Sequence, residues 1–272
     1  MNTSEDMSNH FAEVSNVYNA VRDTDRVVLD LIAQTIKQVN SPISLDFATG
    51  TGRYPISIAK EHGHKFLCTD KNPEMLEKIQ EEYTEGDGLI RVIRTNGLEG
   101  IEKPDSGYRV ITLMNALHHF DDIPSLVKSV SEIISDEGYF LIYTRLDNQN
   151  TRTIWGQHFP EFDTRENRYL GRSAFPYSQL EEKIIEGGMK VENVKTFELK
   201  RLNTLPELLE KVEKMHYSTF RLYSPKELNE AKSEFVKNIH QAFLGSINNE
   251  YKIEHISPMS MIFATKNVDN KN

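Results

Sequence analysis

The sequence predicts an α/β fold built on a doubly wound, mostly parallel sheet, and three observations carry that reading. Short, nearly continuous apolar runs alternate with amphipathic stretches through the first half of the chain, the pattern of strands covered on both faces by crossover helices. The first run ends in the small-residue turn Asp46-Phe47-Ala48-Thr49-Gly50-Thr51-Gly52 and feeds a helix. Ligands of open α/β sheets settle at such turns, where glycine lets the backbone come close and the helix start offers free N–H groups. The second run ends on an acid, Asp70.

Taken in order, Met1 to Asn9 is polar, and residues 10–24 (His10, Phe11, Val14, Tyr18, Val21, Arg22) keep helical spacing. They lead into a helix over Asp25–Val39, where Val27, Val28, Leu31, Ile32 and Ile36 form one apolar stripe. Ser41-Pro42 stops it. Strand Ile43–Phe47, the glycine turn, helix Pro55–Glu61 and strand Lys65–Thr69 follow. Asn72-Pro73 opens the helix Glu74–Tyr83, with proline in the first turn, where its missing N–H costs nothing. Strand Leu89–Arg94 runs to Thr95-Asn96-Gly97, and strand Arg109–Met114 to Asn115-Ala116-Leu117-His118-His119-Phe120. Helix Ile123–Ile134 should stop near Glu137-Gly138, before strand Tyr139–Thr144.

The second half is less regular. Residues 145–176 are rich in arginine and aromatics without a clear period. Helix Ser178–Glu186 ends at Gly187-Gly188, strand Lys190–Leu199 follows, and helices over Leu205–Met215 and Pro225–Leu244 precede a last strand, Met259–Thr265. All strands of a parallel sheet end on one edge, so segments 145–176 and 200–250 should leave from the edge of the glycine turn and cap its ligand. The expected division is lid helices over 1–40, a core of 41–145, 177–200 and 251–266, cap insertions over 146–176 and 201–250, and a loose tail, 267–272. Helices such as Leu205–Met215 could pair across a homodimer or simply pack on their own sheet.

Composition narrows the classes. Of 272 residues, 38% are hydrophobic and 27% charged, and the net charge is −9, which suits an ordinary globular protein. An acidic chain is poorly suited to a nonspecific grip on nucleic acid, although a local basic patch stays open. No apolar run approaches membrane-spanning length and no leader pattern opens the chain. The lone cysteine, Cys68, sits in an apolar run where burial is expected. These features read as a cytoplasmic protein with no membrane or metal partner.

The glycine turn reads D-x-A-x-G-x-G. An acid about twenty residues further on can accept both hydroxyls of a ribose, and Asp70 stands there, although a strand-end acid facing solvent would look the same. The third glycine of a dinucleotide fingerprint is replaced by Pro55, which disfavours the close helix–strand approach a pyrophosphate needs. A ligand with a ribose and no pyrophosphate fits better. Asn96 closes the third strand, where its amide could read an adenine edge or form an ordinary Asn-Gly turn.

With these motifs in view, Leu45–Tyr54, Asp70-Lys71-Asn72-Pro73-Glu74-Met75-Leu76, Thr95-Asn96-Gly97 and Asn115–Phe120 resemble the class I S-adenosylmethionine-dependent methyltransferases. The resemblance is closest to the small-molecule group that includes the ubiquinone-biosynthesis and trans-aconitate enzymes. It covers residues 10–145, fades in the cap segments and returns weakly at the last strand. It implies a Rossmann-like, seven-stranded, mostly parallel sheet with helical cap insertions. It also implies S-adenosyl-L-methionine as cofactor. Asp46 and the backbone of Ala48, Thr49, Gly50 and Gly52 would hold the methionine portion, and Asp70 the ribose. Lys71 and Met75 would pack beside the adenine, Asn96 and Gly97 at its edge, and Asn115 and Ala116 under the methionine end. Tyr18 and Arg22, four apart and so on one helical face, look like the family's lid residues. The family's first glycine is Ala48 here. Alanine is tolerated where the backbone avoids positive φ, so altered packing rather than lost binding is expected.

Methyl transfer needs a nucleophile in line with the methyl–sulfur bond and a dry, ordered site. A base is required only where the nucleophile keeps its proton. Tyr18, His118 and His119 are the nearest candidates, with His119 preferred, although either histidine could simply order the loop. His158, Glu161, Arg172, Tyr177, His216 and Arg221 are further candidates from the cap segments. Arg145, Arg152, Arg165, Arg168 and Arg172 could hold an anionic acceptor, but surface pairing with Asp147, Glu161, Asp163 and Glu166 is the favoured reading. Trp155, Phe159, Phe162, Tyr169, Phe175 and Tyr177 could line an acceptor pocket or form a small core. The expected partner is a small-molecule methyl acceptor at an O, N or C atom. A tRNA or protein methyltransferase, a module that binds the cofactor without transfer, and a nicotinamide dehydrogenase, weakened by Pro55, are the alternatives.

Overall fold

Each buried apolar run of the first half becomes a strand. The computed structural model describes residues 24–83, 88–165, 175–243 and 250–267; Tyr18, Arg22, Glu166, Arg168, Tyr169 and Arg172 lie outside them. Helix α1 (Arg26–Gln38) sets Val28, Leu29, Leu31, Ile32 and Ile36 on its buried face. It is followed by β1 (Ser44–Phe47), α2 (Arg53–His62), β2 (Phe66–Asp70), α3 (Pro73–Glu82), β3 (Ile90–Arg94), β4 (Tyr108–Met114), α4 (Ile123–Ile133) and β5 (Ile134–Thr144). Next come α5 (Ile154–His158), α6 (Tyr177–Glu186), β6 (Met189–Asn203), α7 (Leu205–Glu213), α8 (Pro225–Ala242) and β7 (Ile253–Lys266). Helix starts follow the chemistry: Asn72 accepts from the N–H groups of Glu74 and Met75, and Thr204 and Ser224 form reciprocal capping boxes with Glu207 and Glu227.

Seven strands form one sheet in the order β3-β2-β1-β4-β5-β7-β6. The pairings of β1 with β2, β1 with β4, β2 with β3 and β4 with β5 are all parallel. The chain winds outward from β1 to β3 and then restarts at β4 on the other side of β1. The strand order therefore reverses between β1 and β4, the place where such sheets open a crevice. Leu45 lies opposite Leu67 and Ile111, and Asp46 opposite Cys68 and Thr112.

Three strand limits differ from expectation. β5 starts at Ile134, directly after α4, because Ile134 pairs with Tyr108 before the register shifts to Val110 opposite Tyr139. Glu137-Gly138 is thus absorbed in an irregular strand start. β6 runs to Asn203 and β7 starts at Ile253. Lys200, exposed, and Arg201, part-exposed, continue β6 as strand, and Pro258 lies buried inside β7 rather than at its start.

The chain divides into two compact units. The first, described over 24–83, 88–144, 178–195 and 261–267, holds the sheet core. The second comprises 145–177 and 196–260, so β6 and β7 each contribute to both. Its core gathers Ile154, Trp155, Phe159, Phe162, Phe220 and Phe235 among other buried apolar side chains. The Trp155 ring stacks on Phe235 at 5.3 Å between centroids. Trp155, Phe159 and Phe162 are core residues of this unit.

Candidate active site

The turn after β1 bends by an unusual backbone. Ala48, Gly50 and Gly52 have φ of 52°, 57° and 70°, the left-handed region that costs a residue with a Cβ about 1–2 kcal/mol. Ala48 therefore does adopt the conformation that the sequence reading expected it to avoid. A Cβ on Gly52 would come within 2.9 Å of Ile79 Cγ1, whereas one on Gly50 would meet nothing within 4 Å. Gly52 is needed for packing against α3; Gly50 faces open space. The Thr49 N–H donates to the Thr69 carbonyl at 2.9 Å, which seats the turn beside the end of β2.

Asp70 completes this seat. Its Oδ2 accepts from the Gly50 N–H at 2.8 Å and its Oδ1 from the Asn72 N–H at 2.9 Å. Burial pushes its carboxyl above the usual range, against the opposing pull of those backbone donors and the Lys71 charge. An ionised carboxylate has about four acceptor positions, so the backbone donors of Gly50, Lys71 and Asn72 still leave acceptor capacity for a sugar hydroxyl. The Thr95 N–H donates to the Asp70 carbonyl at 3.0 Å, placing Asn96 and Gly97 next along the same edge. Asn96 and Lys71 are exposed, whereas Met75 is buried in the core.

Asp46 sits deeper, with 1% of its surface exposed. Thr112 Oγ1 donates to its Oδ1 and Thr49 Oγ1 to its Oδ2. Burial raises its carboxyl to about 6, the two threonine bonds oppose the rise, and the Asp70 charge adds to it. Burial also pushes the Cys68 thiol well up, leaving it an inert buried group. The parts played by Thr112 and the Thr49 hydroxyl were missed in the sequence. A hydroxyl in the middle of the apolar run Val110-Ile111-Thr112-Leu113-Met114 was the signal available.

At the end of β4, Asn115 also turns with positive φ, 56°, and its N–H donates to the Tyr143 carbonyl at 2.8 Å. Ala116 is buried, and Leu117–His119 forms a single 3₁₀ turn. The Phe120 ring lies 5.5 Å from Phe47, which ties this loop to the end of β1. The rings of His118 and His119 are 4.0 Å apart and both are half-buried. The ends of β1, β2, β3 and β4 thus bring together Asp46, the glycine turn, Asp70, Asn96, Gly97, Asn115, Ala116 and the two histidines.

In the second unit the arginines are largely spoken for. Arg165 pairs with Glu161 and Glu227, both at 2.8 Å. Arg152 pairs with Glu198. Arg145 donates to the hydroxyls of Tyr217 and Ser257 at 3.0 and 3.1 Å.

A family model described as a methyltransferase domain matches residues 20–183, more than half of the chain. The chain belongs to this methyltransferase family. It is 26% identical over 99 residues to the uncharacterized methyltransferase YcgJ of Bacillus subtilis, a match spanning 36% of this chain and 38% of that protein's length. The crystal structure of YcgJ aligns with a TM-score of 0.57 at 16% identity, covering 89% of this chain and 99% of that one. An S-adenosylmethionine-dependent methyltransferase from Geobacter sulfurreducens, bound to S-adenosyl-L-homocysteine, aligns at 0.55 and 11% identity over 95% and 98%. The cyclase SpnF aligns at 0.61 and 13% identity over 97% of each chain. At such identities the structural likeness shows a shared fold. Among the described residues, no helix is long and apolar enough to cross a membrane and no cluster of His, Cys, Asp or Glu could hold a metal.

Proposed function

We propose that this methyltransferase uses S-adenosyl-L-methionine and transfers its methyl group to an O, N or C atom of a small organic acceptor in the cytoplasm. One observation carries the cofactor reading: Asp70, fixed by the Gly50 and Asn72 N–H groups, keeps acceptor capacity beside Gly50, which faces open space. The residues present fit the group. The Asp70 carboxylate would take the ribose hydroxyls, Asn96 and Gly97 the adenine edge, and Ala48 to Gly52 with Asn115 and Ala116 the methionine end. Lys71 would lie beside the base. Met75 would support it from the core. When bound, the cofactor supplies a methyl on a cationic sulfonium.

The chain's own contribution is to bind, orient and exclude water. The turn's donors and Asp70 fix the donor's position. His119, on the turn after β4, is the side chain we assign to take a proton at an imidazole nitrogen where the acceptor retains one, with His118 beside it. The net charge of −9 favours a small molecule over tRNA.

Incubating the protein with methyl-labelled cofactor and a metabolite extract, with RNA in a parallel arm, tests this reading. Label in a small organic product supports it; label confined to RNA or protein overturns the acceptor class. A second reading is binding without methyl transfer, since a shared fold does not fix the reaction: the cyclase SpnF has the same fold. Tight calorimetric binding with no labelled product would select it.

A further inference from the structure

Asp46 occupies the centre of the row Cys68–Asp46–Thr112 across three strands. Buried carboxylates stay charged only where hydrogen bonds and opposite charge offset desolvation. Here the bonds come from two neutral hydroxyls, one on β4 and one on the glycine turn. The titratable groups facing Asp46 are Cys68, its register partner, and Asp70, a like charge that opposes ionisation. The threonines therefore do two things at once: they keep the carboxylate in place, and Thr49 links it to the turn.

We propose that Thr112 and Thr49 are positioning residues for cofactor binding, holding Asp46 charged and fixed beneath the glycine turn so that a cationic ligand seated there meets a rigid negative charge. This rests on the cofactor reading above. It assigns a role to a buried β4 hydroxyl.

The test is calorimetric affinity for S-adenosyl-L-methionine from pH 5.5 to 8 in the parent, Thr112→Val, Thr112→Ser and Thr49→Ala. Valine keeps the β-branched shape of the strand and removes only the donor. Expected is a loss of about tenfold or more in affinity for Thr112→Val at pH 7.5, the scale of one hydrogen bond to a charged group. The loss should grow towards acid, as Asp46 gives up its charge at higher pH, and Thr112→Ser should recover most of it. Thr49→Ala, outside the strand, should show the same shift in pH dependence and decides the matter if Thr112→Val does not fold. Variants that bind with the parent's affinity and pH profile overturn the proposal while leaving the cofactor reading intact. A parent that does not bind the cofactor overturns both.

Discussion

Two charges, Asp46 buried in the first unit and Arg165 part-buried in the second, are treated in opposite ways. In the second unit Arg165 is answered on every side: two carboxylates, the Leu222 carbonyl at 3.0 Å and the face of Tyr223 at 4.1 Å from the guanidinium carbon. In the first unit Asp46 is answered by two hydroxyls and opposed by Asp70. A charge satisfied within the chain holds a fold together. A charge left short of satisfaction, next to a strained turn, is what the proposed cofactor site would draw on.

The largest expected effect separates the two in sign. Asp46 has a folded value near 6, above that of an unfolded aspartate. Its contribution to stability is therefore full below about pH 4 and is lost as pH rises through 6, on the order of 3 kcal/mol by pH 7.5. Asp46→Asn does not titrate. Urea unfolding of cofactor-free protein should show Asp46→Asn gaining on the parent by that amount between pH 4 and 7.5. A constant difference across that range would contradict the assignment of Asp46 as a strained charge.

Arg165→Met should behave in the reverse way, lowering stability by about 1–2 kcal/mol through lost charge-assisted bonds while leaving cofactor affinity unchanged. A changed affinity would show that this arginine serves the site. The smallest effect is at Ala48, whose positive φ of 52° Gly tolerates. Ala48→Gly should change stability by no more than about 1 kcal/mol, because relief of strain is offset by a freer unfolded chain. Denaturation midpoints measure it; a loss beyond 2 kcal/mol would mean that the Ala48 methyl is packed rather than strained.

Much of this was legible from residue order. The apolar runs that became β1 to β4 were readable to within a residue or two, because strands buried on both faces admit few charges. The edge was also readable, since strand ends in a parallel sheet converge and the motif residues all fall on strand ends. Local pattern could not show that Ile134 pairs with Tyr108, a contact set by tertiary register, nor that charged stretches of β6 and β7 remain extended. The positive φ of Ala48 was hidden for the same reason: alanine carries no local signal for it. Thr112 became visible as a partner of Asp46 only once β4 lay beside β1, and Thr49 only through the turn that brings its hydroxyl back to Asp46. The aromatics of 154–162 were readable as apolar but not as core, because their partners on α8 lie some seventy or more residues away. The expected lid pair, Tyr18 and Arg22, lies outside the described residues.

The central claim is that the loop at 48–52 and the carboxylate at 70 together seat S-adenosyl-L-methionine. Isothermal titration of the parent and of Asp70→Asn, each shown folded by cooperative unfolding, tests it most directly. The account predicts saturable binding to the parent and about a hundredfold weaker binding to the variant, the scale of two charge-assisted bonds lost. A parent without affinity for this donor, or a variant that binds as tightly as the parent, would contradict it.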